Sequence, residues 1–294
     1  MTEKPHPDTE FTRHRPLLFS IAYEILGSVS DAEDVLQDSY LRWRAVDAAM
    51  VANPRAYLAQ IVTRQALGVL RAAARRREEY PGPWLPEPLA TGPEGGDHVL
   101  TGEAVTTAML LILETLTPHQ RAVFVLREVF DFDYPEIATA VGKSAQAVRQ
   151  LNQRARNHVR TRRDRAHPAV ATPIEAQSAA QRFSIAATTG DIQGLMDVLA
   201  PEVVFLADGG GVVNAGLRPV VGPDKVARLV VGWLAKGARM GELSLRNCTY
   251  NGMPSVVLSI DGVLDQVISI EVRANLITAV YCVRNPEKLT ALEV

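Results

Sequence analysis

Apolar residues recur at helical spacing from the start of the chain. Phe11, Leu17, Leu18, Ile21, Ala22, Ile25 and Leu26 form one stripe, which stops at Gly27. Ser30 and Glu33 match a capping box and predict a second helix with Val35, Leu36, Tyr40, Leu41 and Trp43 as its apolar set. Asn53-Pro54 reads as a cap followed by a first-turn proline, opening a long helix through Leu58, Ile61, Val62 and Val69 toward Arg77. The period is then lost. Between Tyr80 and Asp97 five prolines and four glycines exclude a helix, yet Trp84, Leu85 and Leu89 sit there, and a solvated linker has little use for a tryptophan. Helical spacing returns from Glu103 to Leu116. Thr117-Pro118 opens a helix to about Phe130, Tyr134–Val141 is a short helix closed by Gly142, and Ser144 caps a last one to about Arg163. After a second break at residues 166–172, a helix over Ala176–Thr189 stops at Gly190, and a short one begins at Asp191 and ends by Pro201. The pattern then changes to a strand over Val203–Ala207, a glycine loop at 208–211, a helix over Pro223–Leu234, and three or four strands with turns at Asn251-Gly252 and Asp261-Gly262. Two helical domains followed by an α+β domain are therefore expected, with boundaries at 1–80, 81–102 (linker), 103–166, 167–174 (linker) and 175–294.

Composition adds little until it is resolved by position. The 294 residues are 47% hydrophobic, enough for two or three cores. The net charge of -2 hides segregation: Ala48–Arg77 holds six arginines and no acid, and Lys143–Arg165 holds eight basic residues and one acid. Two basic segments in a neutral chain are a footprint for a polyanion. The two cysteines have no metal-ligand spacing, no apolar run reaches a membrane span, and the N-terminus lacks a signal-peptide core, so a cytoplasmic protein without metal, cofactor or membrane partner is expected.

Residues 134–160 carry the sharpest motif. A short helix, a glycine turn and a longer helix form a helix-turn-helix in which Val148, Leu151, Ala155 and Val159 face inward. Ser144, Gln146, Arg149, Gln150 and Gln153 face the other way, where arginine suits guanine and glutamine suits adenine; Arg154, Arg156 and Arg160 suit phosphates.

Residues 31–44 (DAEDVLQDSYLRWR), 53–58 (NPRAYL) with the arginine-rich helix after them, and 116–121 (LTPHQR) with the helix-turn-helix occur in this order. As a set they resemble the extracytoplasmic-function sigma factors of RNA polymerase. The resemblance implies a region 2 domain and a region 4 domain, and a chain that directs core polymerase to −10 and −35 promoter elements. It implies that Asp34, Gln37 and Asp38 bind the β′ coiled coil, with the β flap as a second polymerase contact. Arg55, Tyr57, Arg64, Arg71, Arg75, Arg76 and Arg77 would serve −10 DNA. The chain departs from the family at Arg64, usually Asn, and at Leu151-Asn152, often Arg-Leu.

Three further segments resemble the branch of that family with a fused SnoaL-like domain of the NTF2-like fold. They are Trp84-Leu85-Pro86-Glu87-Pro88-Leu89, Asp208-Gly209-Gly210-Gly211 and Asn285-Pro286-Glu287-Lys288-Leu289, with Val212 and Glu287 where Lys and Asp are usual. The resemblance implies control by this domain from within, in place of a separate anti-sigma protein. The fold also hosts enzymes, so catalysis has to be argued from the site. All six histidines precede residue 169, which leaves Asp208, Asp261, Asp265 and Glu271 as bases, and Asp208 and Asp261 read first as turn residues. No catalytic residue is assigned. A DNA-binding regulator with a small-molecule-sensing domain, or an enzyme of this fold, are the alternatives.

Overall fold

The computed structural model describes residues 7–91, 105–165 and 171–292. The chain falls into two compact units. One contains Met1–Glu78, Gly95–Val105 and Met109–Arg162; the other contains Glu79–Glu94, Thr106–Ala108 and Arg163–Val294. Residues 92–102 of the expected linker, the boundaries at 103, 166 and 167, and Glu103 lie outside the described residues.

The first unit is helical. Helices α1 (Pro7–Leu26), α2 (Val29–Arg44) and α3 (Pro54–Glu78) are followed by α4 (Thr107–Glu114), α5 (Pro118–Phe124), α6 (Tyr134–Val141) and α7 (Ala145–Arg165). The α1 stripe is core: Leu18, Ile21, Ala22 and Ile25 are fully buried. Two expectations change in α2. Its cap is Ser28, whose hydroxyl accepts from the Asp31 amide, so the helix starts ahead of Ser30, and Glu33 instead binds Arg15 at 2.7 Å. Leu41 is exposed, because the buried row Val35, Leu36, Ser39 and Trp43 lies on the opposite side of the turn. The helix expected from Thr117 to Phe130 has the expected capping box, Thr117 with Gln120, but its second half, Val125–Val129, is a π-helical turn closed by the Phe130 amide on the Val125 carbonyl.

The second unit is α+β. Helices α8 (Pro173–Thr189), α9 (Ile192–Val198) and α10 (Pro223–Gly237) accompany strands β1 (Leu199–Asp208), β2 (Val220–Val221), β3 (Leu243–Tyr250), β4 (Met253–Ile260), β5 (Val263–Arg273) and β6 (Leu276–Val283). The sheet order is β2-β1-β6-β5-β4-β3, with β1 and β6 parallel and the other pairs antiparallel. Phe183, Leu195, Val203, Phe205, Val226 and Ile270 share its core. Pro201 does not precede the strand as expected but sits within it, where the β1–β6 register shifts between Leu199 and Val204 and a missing N–H costs no ladder bond. Further shifts at Leu258/Ser259 and Glu271/Val272 bend the sheet. The Asn251-Gly252 and Asp261-Gly262 turns have positive φ at both positions, and Ala274-Asn275 makes a third turn of the same kind that the sequence reading missed.

Candidate nucleic-acid interface and linker clamp

Gly142 ends α6 in the left-handed region at φ 67, and the Ser144 hydroxyl accepts from the Ala147 amide to start α7. Val148, Ala155 and Val159 of α7 are buried. Ser144, Gln146, Arg149, Gln150, Gln153, Arg154, Arg156 and Arg160 are all exposed. Arg149 lies over the Tyr134 ring at 5.3 Å, and Arg156 approaches Glu128 at 3.6 Å. Asn152 points inward: it is buried and donates to Glu128 at 2.8 Å and to the Tyr134 hydroxyl. Its departure from the family pattern is thus absorbed by packing within the helix-turn-helix.

On α2, Asp34, Gln37 and Asp38 are exposed on the face opposite Val35 and Leu36. The basic helix α3 is different. Within this unit its arginines bond to the segments around α4, α5 and α6. Arg55 donates to the Phe130 carbonyl at 3.2 Å and lies over the Phe132 ring at 4.1 Å. Arg64 donates to the Thr139 and Ala140 carbonyls at 2.8 and 3.4 Å, and Arg71 meets His119 at 3.4 Å. Arg77 pairs with Glu114 and donates to the Leu26 carbonyl at 2.8 Å. Tyr57 packs on Trp43. The side chains of Arg75 and Arg76 lie outside what is described.

Arg121, 1% exposed, completes this polar seam by binding the Glu114 carboxylate and the Glu24 carbonyl. The Glu24 side chain is buried beside it, with Oε2 unpartnered, and burial pushes its carboxyl up to about 8 against the opposing pull of Arg121. Arg121 was legible only as the last residue of the 116–121 motif and Glu24 not at all, since a buried charge has no local signature.

In the second unit the linker is bonded into the α+β domain at two places. The first is the fully buried Asp208 carboxylate, which accepts from the Tyr80 hydroxyl (2.6 Å), the Leu85 amide (2.8 Å), the Gly210 amide (3.0 Å) and Lys288 Nζ (2.7 Å). Lys288 also donates to the Leu85 carbonyl at 2.5 Å and lies over the Trp84 ring at 4.1 Å. Asn285 donates to the Tyr80 hydroxyl at 3.0 Å, and its side-chain oxygen caps the turn at Glu287. Burial, then the bond to Asp208, pushes the Tyr80 phenol well above its ordinary range. Leu85, Pro86, Glu87 and Pro88 are buried, as is Leu289, while Pro286 is exposed. The glycines make room for this approach: a Cβ on Gly210 (φ 62) would run into Asn285, and one on Gly211 (φ 73) into Pro81, while Gly209 is held against the Val213 carbonyl.

The second place is the Asn251-Gly252 turn. The Leu89 amide donates to the Asn251 side chain at 3.1 Å, the Asn251 amide to the Leu89 carbonyl at 2.8 Å, and the Thr91 amide to the Thr249 carbonyl at 3.0 Å. Tyr80 and Asn251 are site residues that sequence reasoning missed. Asn251 was legible only as a turn residue, and its second role needs the partner strand to be known. The other carboxylates have structural partners: Asp265 binds Arg284, Glu271 binds Arg273 and Tyr281, and Asp261 caps the Glu242 amide.

The family described as Sigma-70 region 2 matches residues 11–76, and that described as Sigma-70, region 4 matches residues 106–159. The chain is similar to the ECF RNA polymerase sigma factor SigJ of Mycobacterium tuberculosis, 36% identical over 297 residues that cover 96% of this chain and 93% of that protein. It is also similar to a probable ECF RNA polymerase sigma factor, SigI, of the same species, 29% identical over 289 residues covering 95% and 93%. The crystal structure of the M. tuberculosis SigJ superposes with a TM-score of 0.76 at 32% identity, over 96% of this chain and 98% of that one. No helix among the described residues is long and apolar enough to cross a membrane.

Proposed function

The chain belongs to the extracytoplasmic-function sigma factors of RNA polymerase, and on that premise we propose how its parts divide the work. As a sigma factor it binds core polymerase and promoter DNA, and it is a transcription factor rather than an enzyme. In our reading Asp34, Gln37 and Asp38 meet the β′ coiled coil, where a row of exposed acids and an amide on one helix face suits a basic partner. Helix α7 reads the −35 element with Gln146, Arg149, Gln150 and Gln153 and holds phosphates with Arg154, Arg156 and Arg160. Helix α3 reads the −10 element with Arg55, Tyr57, Arg64, Arg71 and the arginines at 75–77.

The α+β domain restrains both readers through the linker between them. One observation carries this: the main chain of Leu85 is bonded on both sides by the buried Asp208–Lys288 pair. The restrained state is one in which α3 spends its arginines on the carbonyls of the −35 domain, so promoter reading requires those bonds to be exchanged for phosphates.

The test is transcription in vitro with core polymerase lacking a sigma factor, on a promoter found by genome-wide binding. Specific transcripts are expected with the full chain, and an Asp34→Arg, Asp38→Arg double variant should lower both transcription and co-purification with core by about tenfold or more. DNA binding without specific transcripts would favour a DNA-binding regulator that does not engage polymerase, and full co-purification of the variant would remove Asp34 and Asp38 from the β′ contact.

A further inference from the structure

The α+β domain holds a cavity of about 390 Å3, within the size range of small-molecule sites. It lies between the bent sheet, α10 and the loop after β1. Its walls are apolar and partly aromatic: Phe205, Val220, Leu229, Trp233 and Leu258, with Phe205 and Trp233 edge to face at 5.3 Å. The polar groups are almost all donors. Gln266 is buried, its side-chain oxygen accepts from the Cys282 thiol, and its Nε2 makes no hydrogen bond among the described residues. Arg284 gives Nη1 to the Asn214 carbonyl and Nη2 to Asp265, both at 2.7 Å, which leaves its Nε buried without a partner. Arg218 and Lys236 are exposed at the lining and make no ion pair among the described residues. The lining thus sets three cations against one carboxylate, and that carboxylate is already engaged by Arg284.

We propose that this cavity binds a small organic anion with a flat apolar body, of the aromatic carboxylate class. The apolar walls exclude a compact, strongly hydrated ion such as inorganic phosphate, and the shortage of acceptors excludes a cation. The carboxylate would take the Gln266 amide and the excess positive charge of Arg218 and Lys236, while the ring lies against Trp233.

The test titrates the full chain by calorimetry with three probes of one shape: 1-naphthoate, 1-naphthalenemethanol and 1-naphthylmethylammonium. Naphthoate should bind about tenfold or more tightly than the alcohol, as expected for a charged hydrogen bond in place of a neutral one, and the ammonium should not bind. Arg218→Glu with Lys236→Glu changes only exposed side chains and should erase the preference for the anion. Leu229→Trp, which fills the cavity, should abolish binding of all three probes. Equal binding of the three probes, an unchanged preference in the double variant, or no saturation by naphthoate at millimolar concentration would overturn the proposal. Transcription is not the readout, so the result is independent of the clamp's regulatory role.

Discussion

Glu24 shows what a single buried carboxyl does to the first unit. Burial raises it to about 8 from an ordinary 4.5, so between those values the folded chain keeps a proton that the unfolded chain has released. Its contribution to stability is complete below pH 4.5 and falls as the pH rises toward 8. Glu24→Gln should flatten that slope, leaving the variant more stable than the parent at pH 8 by an amount on the order of a few kcal/mol, with little difference near pH 4. Urea denaturation at several pH values, followed in the first unit, checks this. Parallel pH profiles for parent and variant would mean that the carboxyl is not held neutral.

At the scale of elements, the proposed reading has α7 separate side chains that specify from side chains that position. Arg149→Ala or Gln150→Ala should cost about 1–3 kcal/mol at one or two −35 positions and relax selectivity there. Arg160→Ala should weaken every sequence alike and reduce the salt slope of binding by about one. Fluorescence anisotropy on a panel of −35 variants at several salt concentrations distinguishes the two, and a uniform loss for Arg149→Ala would put its side chain on phosphate. This helix was legible because cap, turn and inward row are local: Ser144, Gly142, Val148 and Ala155 lie within fourteen residues. The π turn at Val125–Val129 was not, since no proline or glycine marks it and the extra residue is accommodated only by what packs around it. Helix α3 was readable as basic, but not that Arg64 would end on the Thr139 carbonyl 75 residues away. The linker motif was readable as one that docks, through Trp84. Its partners Tyr80 and Asn251 were not, because their bonds cross from the linker to a distant turn.

At the scale of the whole molecule, the clamp makes the linker part of the α+β domain's own stability. Lys288→Met would leave Asp208 buried without its cation, at a cost of roughly 3–5 kcal/mol, and free the Leu85 carbonyl. Trp84→Ala keeps the ion pair and removes the ring beneath Lys288. On the proposed reading both raise transcription from a cognate promoter, Lys288→Met more than Trp84→Ala, after circular dichroism shows each folded; activity equal to the parent in both would make the α+β domain a passenger. Removing Asn285–Leu289 outright would also remove the cation of a buried pair, so the point substitutions are the cleaner test. The same pair has a consequence in time. Leu85 and Lys288 are 203 residues apart, and ribosomes add roughly 5–20 residues per second. Leu85 is therefore made on the order of 10 to 40 s before the lysine that locks it. On the proposed reading a nascent chain is unrestrained for that interval, and a chain stopped before residue 288 stays so, which would make restraint something each molecule acquires only when its synthesis is nearly over.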